Sequence, residues 1–316
     1  MIDFLSACDV FLETGFVFSI IAMGYYVSFY ILDFPDLTVE GTFLAGAVVY
    51  GLICHAGIDP FIGVLLAFIV GALFGSLTGF LNVKLKIRPL LCGILVSTLL
   101  ITVNLVATSV GMSGDFTAQS DTSISYGRTV ETLHDAPIFS FIPAKLSSVG
   151  NIGLRDLVIF FVFALICKLL LDFYLKTKNG LLLRAAGNNP QFVKMLSRDP
   201  GKCKIIGLAI GNAFAAVSGA LYTQINGNVN QSMGIGTIVI GLASLIIGTS
   251  LLKKVRFMKN TTKVIIGAVL YQAALTVAQR LGVPSAYNKM IMAVLFTLAL
   301  LLSNKLKRSK GGAADA

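Results

Sequence analysis

The chain has 316 residues, 56% of them hydrophobic and only 13% charged, with a mean hydropathy of +0.85 and a formal net charge of +10. A soluble chain needs about a quarter of its residues charged to cover its surface, whereas Ile205 to Leu252 holds no Asp, Glu, Lys or Arg. That excludes a water-soluble fold, and because the positive charge falls in short clusters between apolar runs, it marks membrane topology rather than nucleic-acid binding.

The N-terminus carries Asp3, Asp9 and Glu13 before the first apolar run and no Lys or Arg, so it lacks the positive region of a cleaved signal peptide and the first helix is expected to remain. Runs of about 17 to 25 apolar residues, long enough to span a bilayer, lie near 14–32, 41–57, 61–82, 90–110, 154–174, 205–225, 235–252, 264–280 and 288–304. The expectation is one all-α transmembrane domain over 1–316, with eight to ten helices and nominally nine. Outside the spans are a long loop at 111–153, a second at 175–204 and a basic tail, expected to be disordered, at 305–316. Nineteen of the 25 Lys and Arg fall at 84–88, 175–204, 253–263 and after Ser303. All of these lie on one side of the nine-span topology. The positive-inside rule then puts them and the C-terminus in the cytoplasm, against anionic lipid, and the N-terminus outside.

Asp33-Phe34-Pro35-Asp36-Leu37-Thr38-Val39-Glu40-Gly41 sets three carboxylates around a proline between the first two runs. Two readings stand. In one, this is a turn at the membrane edge, with Asp36 or Thr38 capping the next helix and the other carboxylates in water. In the other, it is a helix break facing a cavity, where backbone groups, Thr38 and Glu40 meet a polar solute. Further polar residues inside spans include Thr98, Thr102, Asn104, Asn212, Ser218, Tyr271, Gln272 and Thr276, expected mainly as interhelical hydrogen-bonding groups, with Asn104 and Gln272 as candidates for a solute path. Gly71, Gly75 and Gly79, and Gly207 with Gly211, repeat the GxxxG spacing that lets helices approach closely.

The 175–204 loop is too long and too patterned for a simple connector. Asn189 suits an N-cap and Pro190 the first helical position. Phe192, Val193 and Leu196 then give a short apolar face that ends before Pro200. Such a helix is too short to be stable alone, so its face must rest on the membrane domain or on a partner.

Five scattered cysteines and two histidines offer no metal-ligand spacing, and no HExxH, GxSxG or GxxxxGK[ST] occurs. No cofactor is expected in this chain, and any energy must come from elsewhere.

Four segments carry a resemblance: Phe34 to Gly41, Lys84 to Val96, Arg184 to Pro190, and Met233 to Ser244. They resemble the permease subunits of bacterial ABC importers in the branched-chain amino acid and ribose permease superfamily, most nearly the branch of tryptophan and tyrosine type. The likeness runs from about residue 15 to residue 303. It implies an inner-membrane permease without its own ATPase site, assembled with a second copy as a homodimer and served by an extracytoplasmic solute-binding lipoprotein. ATP and Mg would sit on a partner ATPase, and the solute, an aromatic or other amino acid, would cross between the two permeases. Arg184, Gly187, Asn188, Asn189, Pro190, Phe192, Val193 and Leu196 match the family's coupling segment, the ATPase contact. Phe34, Asp36, Thr38 and Glu40 match the place where the superfamily interrupts an early helix beside the path. The 112–149 segment departs from the branch, so its receptor contacts do not carry over. The alternative is an ion-coupled secondary transporter, which would need coupling carboxylates near mid-membrane and inverted repeats.

Overall fold

A computed structural model describes residues 2–113, 123–125, 154–255, 257–280 and 287–311. Among these, the helices in chain order are α1 (Ile2–Tyr25, continued by a π-helical turn, Tyr26–Ile31), α2 (Thr38–His55), α3 (Pro60–Val83), α4 (Pro89–Ser113), α5 (Leu154–Tyr174), α6 (Lys178–Asn188), α7 (Pro190–Met195), α8 (Pro200–Asn226), α9 (Thr237–Leu251), α10 (Asn260–Arg280) and α11 (Asn288–Gly311). Eight of the described helices are long and apolar enough to cross a membrane, and Lys289–Leu301 is a shorter apolar stretch. The expected all-α multi-pass bundle is therefore present. One feature differs from expectation. The 175–204 loop contains a second helix, α6, and at the other end of the chain α11 runs to Gly311. In the long 111–153 loop, Ser123–Ser125 (β1) pairs antiparallel with Asn228–Asn230 (β2), joining it to the exit of α8.

Small residues set the packing. Gly71, Gly75 and Gly79 of α3 lie on α8, where an added methyl would run into Asn212, Leu208 and Ile205 respectively. α2 runs parallel to α8 on another face. Gly46 sits on the Ala216 carbonyl and Gly219 on that of Phe43, again with no room for a Cβ. Close backbone approach of this kind replaces the hydrophobic force that lipid cannot supply between helices. α1 completes the centre: Gly24 faces Gly211, and the buried Ser218 Oγ donates to the Val17 carbonyl at 2.8 Å.

One helix is short for a reason. α9 has 15 residues, about 22 Å at 1.5 Å per residue, against a hydrocarbon core of about 30 Å. The chain leaves α8 through Gly227, in the left-handed region at φ 66°, runs extended through β2 and turns through a 3-10 segment, Gln231–Gly234. Gly236 at φ 96° then starts α9. Gly234 packs on the Glu40 carbonyl and Leu44, so this non-helical descent is covered by α2, as irregular backbone at membrane depth requires.

Candidate functional site

Two places in the fold collect polar groups. The first lies between α1 and α2. Asn212, about 12 Å along α8 beyond Lys204, its last charged residue, donates through Nδ2 to Asp36 Oδ2 at 2.6 Å. Asp36 Oδ1 accepts the Thr38 backbone N–H at 2.9 Å, and Thr42 Oγ1 donates to Asn212 Oδ1 at 2.8 Å. The hydroxyls of Thr38 and Thr78 are 2.9 Å apart, while Asn104 Nδ2 donates to the Gly41 carbonyl at 3.1 Å. Glu40 reaches across to α9, where its Oε1 accepts the Gly236 N–H at 2.8 Å. Two helices thus begin inside the bundle, and a carboxylate answers the positive end of each.

The network answers one of the two sequence readings in part. Asp33 is exposed, as at an edge turn, but Asp36 is buried, and so are Phe34 and Thr38. Phe34, Asp36 and Thr38 are packed among helices, while Asp33 and Pro35 are exposed. Phe34, Asp36, Thr38, Glu40 and Asn104 come together here, and none of them lines either of the two clefts described below. Gln272 lies elsewhere.

The second place is the basic end of the bundle. Thr177 starts α6: its Oγ1 accepts the Gly180 N–H at 3.3 Å and donates to the Tyr174 carbonyl at 2.7 Å. Leu183 and Ala186 turn inward, and Gly187 sits against the backbone of Ile31 and Leu32, so α6 rests on the last turn of α1. Asn189 then stops α6 and starts α7. Extended at φ −149°, it accepts the N–H groups of Gln191 and Phe192 at 3.1 and 3.2 Å, with Pro190 in the first turn. The expected apolar face divides. Val193 is fully buried, whereas Phe192 and Leu196 are about half exposed, and Met195, which the sequence reading passed over, is 80% exposed. The i, i+3, i+4 spacing of Phe192, Met195 and Leu196 groups them on one side of the turn but does not say which way that side faces. The signal for α6 was Thr177 as an N-cap before the Leu181–Leu183 run.

Beside α6, Arg184 and Asn188 line a cleft of about 520 Å³ with Tyr26, Lys176 and Lys259. At its wall Asp172 Oδ2 accepts from Lys259 Nζ at 3.0 Å and Oδ1 from Thr261 Oγ1 at 2.7 Å, with Lys168 Nζ at 3.5 Å, tying α5 to the start of α10. At the opposite end, a cavity of about 590 Å³ lies between α1, α9, α10 and α11, and Gln272 is in its wall. Among the described residues, no cluster of three or more His, Cys, Asp or Glu is placed to hold a metal.

Comparison with known proteins gives the frame for these features. A family profile described as branched-chain amino acid transport system / permease component matches residues 9–300. A tyrosine transport system permease protein of Clostridioides difficile is 37% identical over 91% of this chain and 88% of its own length. A nucleoside ABC transporter permease of Lactococcus lactis is 27% identical over 67% of this chain and 66% of its own length. A fructose import permease of Bifidobacterium longum is 22% identical over 84% of this chain and 74% of its own. No solved structure gives a significant match. With the profile covering nearly the whole bundle and every helix from α1 to α10, this chain belongs to the family of branched-chain amino acid transport system permease components and is the permease subunit of an ABC importer.

Proposed function

We propose that the basic end of the bundle is cytoplasmic, in a bacterial inner membrane, and that α6 and α7 form the contact through which a partner ATPase drives transport. The observation that carries this reading is the build of α7. Its apolar side is divided between one anchor, Val193, and three exposed residues, Phe192, Met195 and Leu196. Exposed apolar groups on an element fixed by caps at both ends, Asn189 before it and Asp199 at the start of α8, suit insertion into a cleft of another protein. The rest of the unit transmits displacement. α6 packs on the end of α1 and α8 follows α7 directly, so a push on α7 acts on the two central helices together.

Arg184, Asn188 and the Asn189-Pro190 cap belong to this contact, and ATP with Mg binds the ATPase rather than this chain. A second permease copy completes the pathway, and a solute-binding lipoprotein delivers the solute on the opposite side. The relative from Clostridioides difficile is named for tyrosine, which supports an aromatic amino acid as the solute.

The test is the double substitution Phe192→Ala and Leu196→Ala. Both side chains are half exposed, so the protein is expected to accumulate in the membrane and to keep its stability within about 0.5 kcal/mol. ATP-dependent uptake and co-purification of the ATPase are both expected to be lost. Normal uptake by the double variant would overturn the coupling assignment.

A further inference from the structure

We propose that the cavity between α1, α9, α10 and α11 is a solute site open to the extracytoplasmic side, shaped for a neutral amino acid with an apolar or aromatic side chain. The inference rests on the permease reading and adds where the solute sits and which chemistry holds it.

The first observation is an unpaired donor. Gln272 is 4% exposed, lines this cavity, and its Nε2 has no hydrogen-bond partner among the described residues. Buried polar groups are nearly always paired in a finished fold, so a donor left open in a cavity wall is available to a bound molecule. The second observation is the helix start beside it. Thr237, the first residue of α9, lines the same cavity. The N–H groups of a first helical turn have no acceptor within the helix and favour negative charge. The fold already answers two donors of this turn, Gly236 N–H with the Glu40 carboxylate and Val239 N–H with the Gly236 carbonyl, which leaves the N–H groups of Thr237 and Ile238 as the donors of this start. At the mouth stands Lys289, exposed at the start of α11.

A carboxylate is the group that an amide donor, a helix start and an ammonium share. Among the described residues no Asp or Glu lines the cavity, which disfavours a cationic solute. The hydroxyls of Ser232 and Thr276 remain to accept from an α-ammonium group. Phe18, Tyr222, Leu275 and Met292 supply an apolar wall. A sugar or nucleoside has no carboxylate to offer these donors and leaves them unpaired, which is how a site discriminates against an analogue.

The experiment places a reporter thiol in the wall, Gln279→Cys, in the full transporter with Cys8→Ser as background, and measures its labelling from outside by a membrane-impermeant thiol reagent. L-Tyrosine and L-leucine are expected to slow labelling, and uridine and D-ribose to leave it unchanged. Gln272→Leu and, separately, Lys289→Met are each expected to raise the half-protecting concentration about tenfold, as the loss of one polar contact would. Lys289 is exposed, so its replacement tests the site even where the Gln272 variant fails to fold. Absence of labelling, absence of protection by the amino acids, or equal protection by uridine or ribose would overturn the proposal. ATPase-dependent accumulation of tyrosine in the same cells separates the two readings. Accumulation without protection removes this site and leaves the permease reading. Protection without any ATPase-dependent accumulation removes the ATPase-coupling reading of α6 and α7 and leaves the site.

Discussion

α2 and α4 both span the bundle and face opposite fates. α4 is among the most apolar of the spans, yet only 28% of its central stretch is buried, whereas α2, the least apolar of them, is 72% buried. In water the order would be reversed. Lipid tails are as apolar as leucine, so apolar surface does not drive a helix inward; small residues and satisfied polar groups do. α2 has both, in Gly46 against Ala216 and in Thr38, Glu40 and Thr42 with their partners. α4 shows Leu95, Leu99 and Ile101 to its surroundings.

Three substitutions sharpen this contrast. The largest effect is expected for Gly46→Leu, because the new side chain must displace the Ala216 carbonyl in the α2–α8 seam. A loss of about 3 kcal/mol or more is expected, read as failure to recover monodisperse protein from detergent, and recovery at the native level would refute the seam. Next is Asn212→Leu, which removes the donor to Asp36 and the acceptor for Thr42 and leaves a buried carboxylate short of a partner. A cost of about 2–3 kcal/mol follows, seen as a lowered thermal midpoint in detergent. The smallest is Ile101→Ala on α4, expected within about 0.5 kcal/mol because its surroundings are lipid. A clearly larger drop there, accompanied by a fall to half the mass in size-exclusion chromatography, would show that the proposed second permease copy covers α4.

The same contrast separates what was legible from what was not. Nine apolar runs and the charge pattern were readable because a bilayer imposes a length on each span and a bias on each loop. The Asn189-Pro190 cap was readable because capping is local. The outward turn of Phe192 and Leu196 was not, since a six-residue helix has too few residues for periodicity to decide which face docks. α6 was obscured by Gly180 and Gly187, which read as loop residues but serve as contacts, against Tyr174–Leu175 and against Ile31. Asp36 was ambiguous in principle. Its spacing to Pro35 and Thr38 suits a solvated turn and a buried break equally, and the deciding partner, Asn212, is 176 residues away.

By itself the sequence determined the membrane class, the count of apolar runs, the charge asymmetry and the local caps, all of which depend on residues within one span or turn. Tertiary structure alone decided that Asp36 is buried, that Glu40 caps α9, and that Gln272 Nε2 has no partner among the described residues in a cavity wall. The reason is physical. The cost of a polar group in a bilayer depends on what stands opposite it, and that is chosen by packing among helices far apart in the chain.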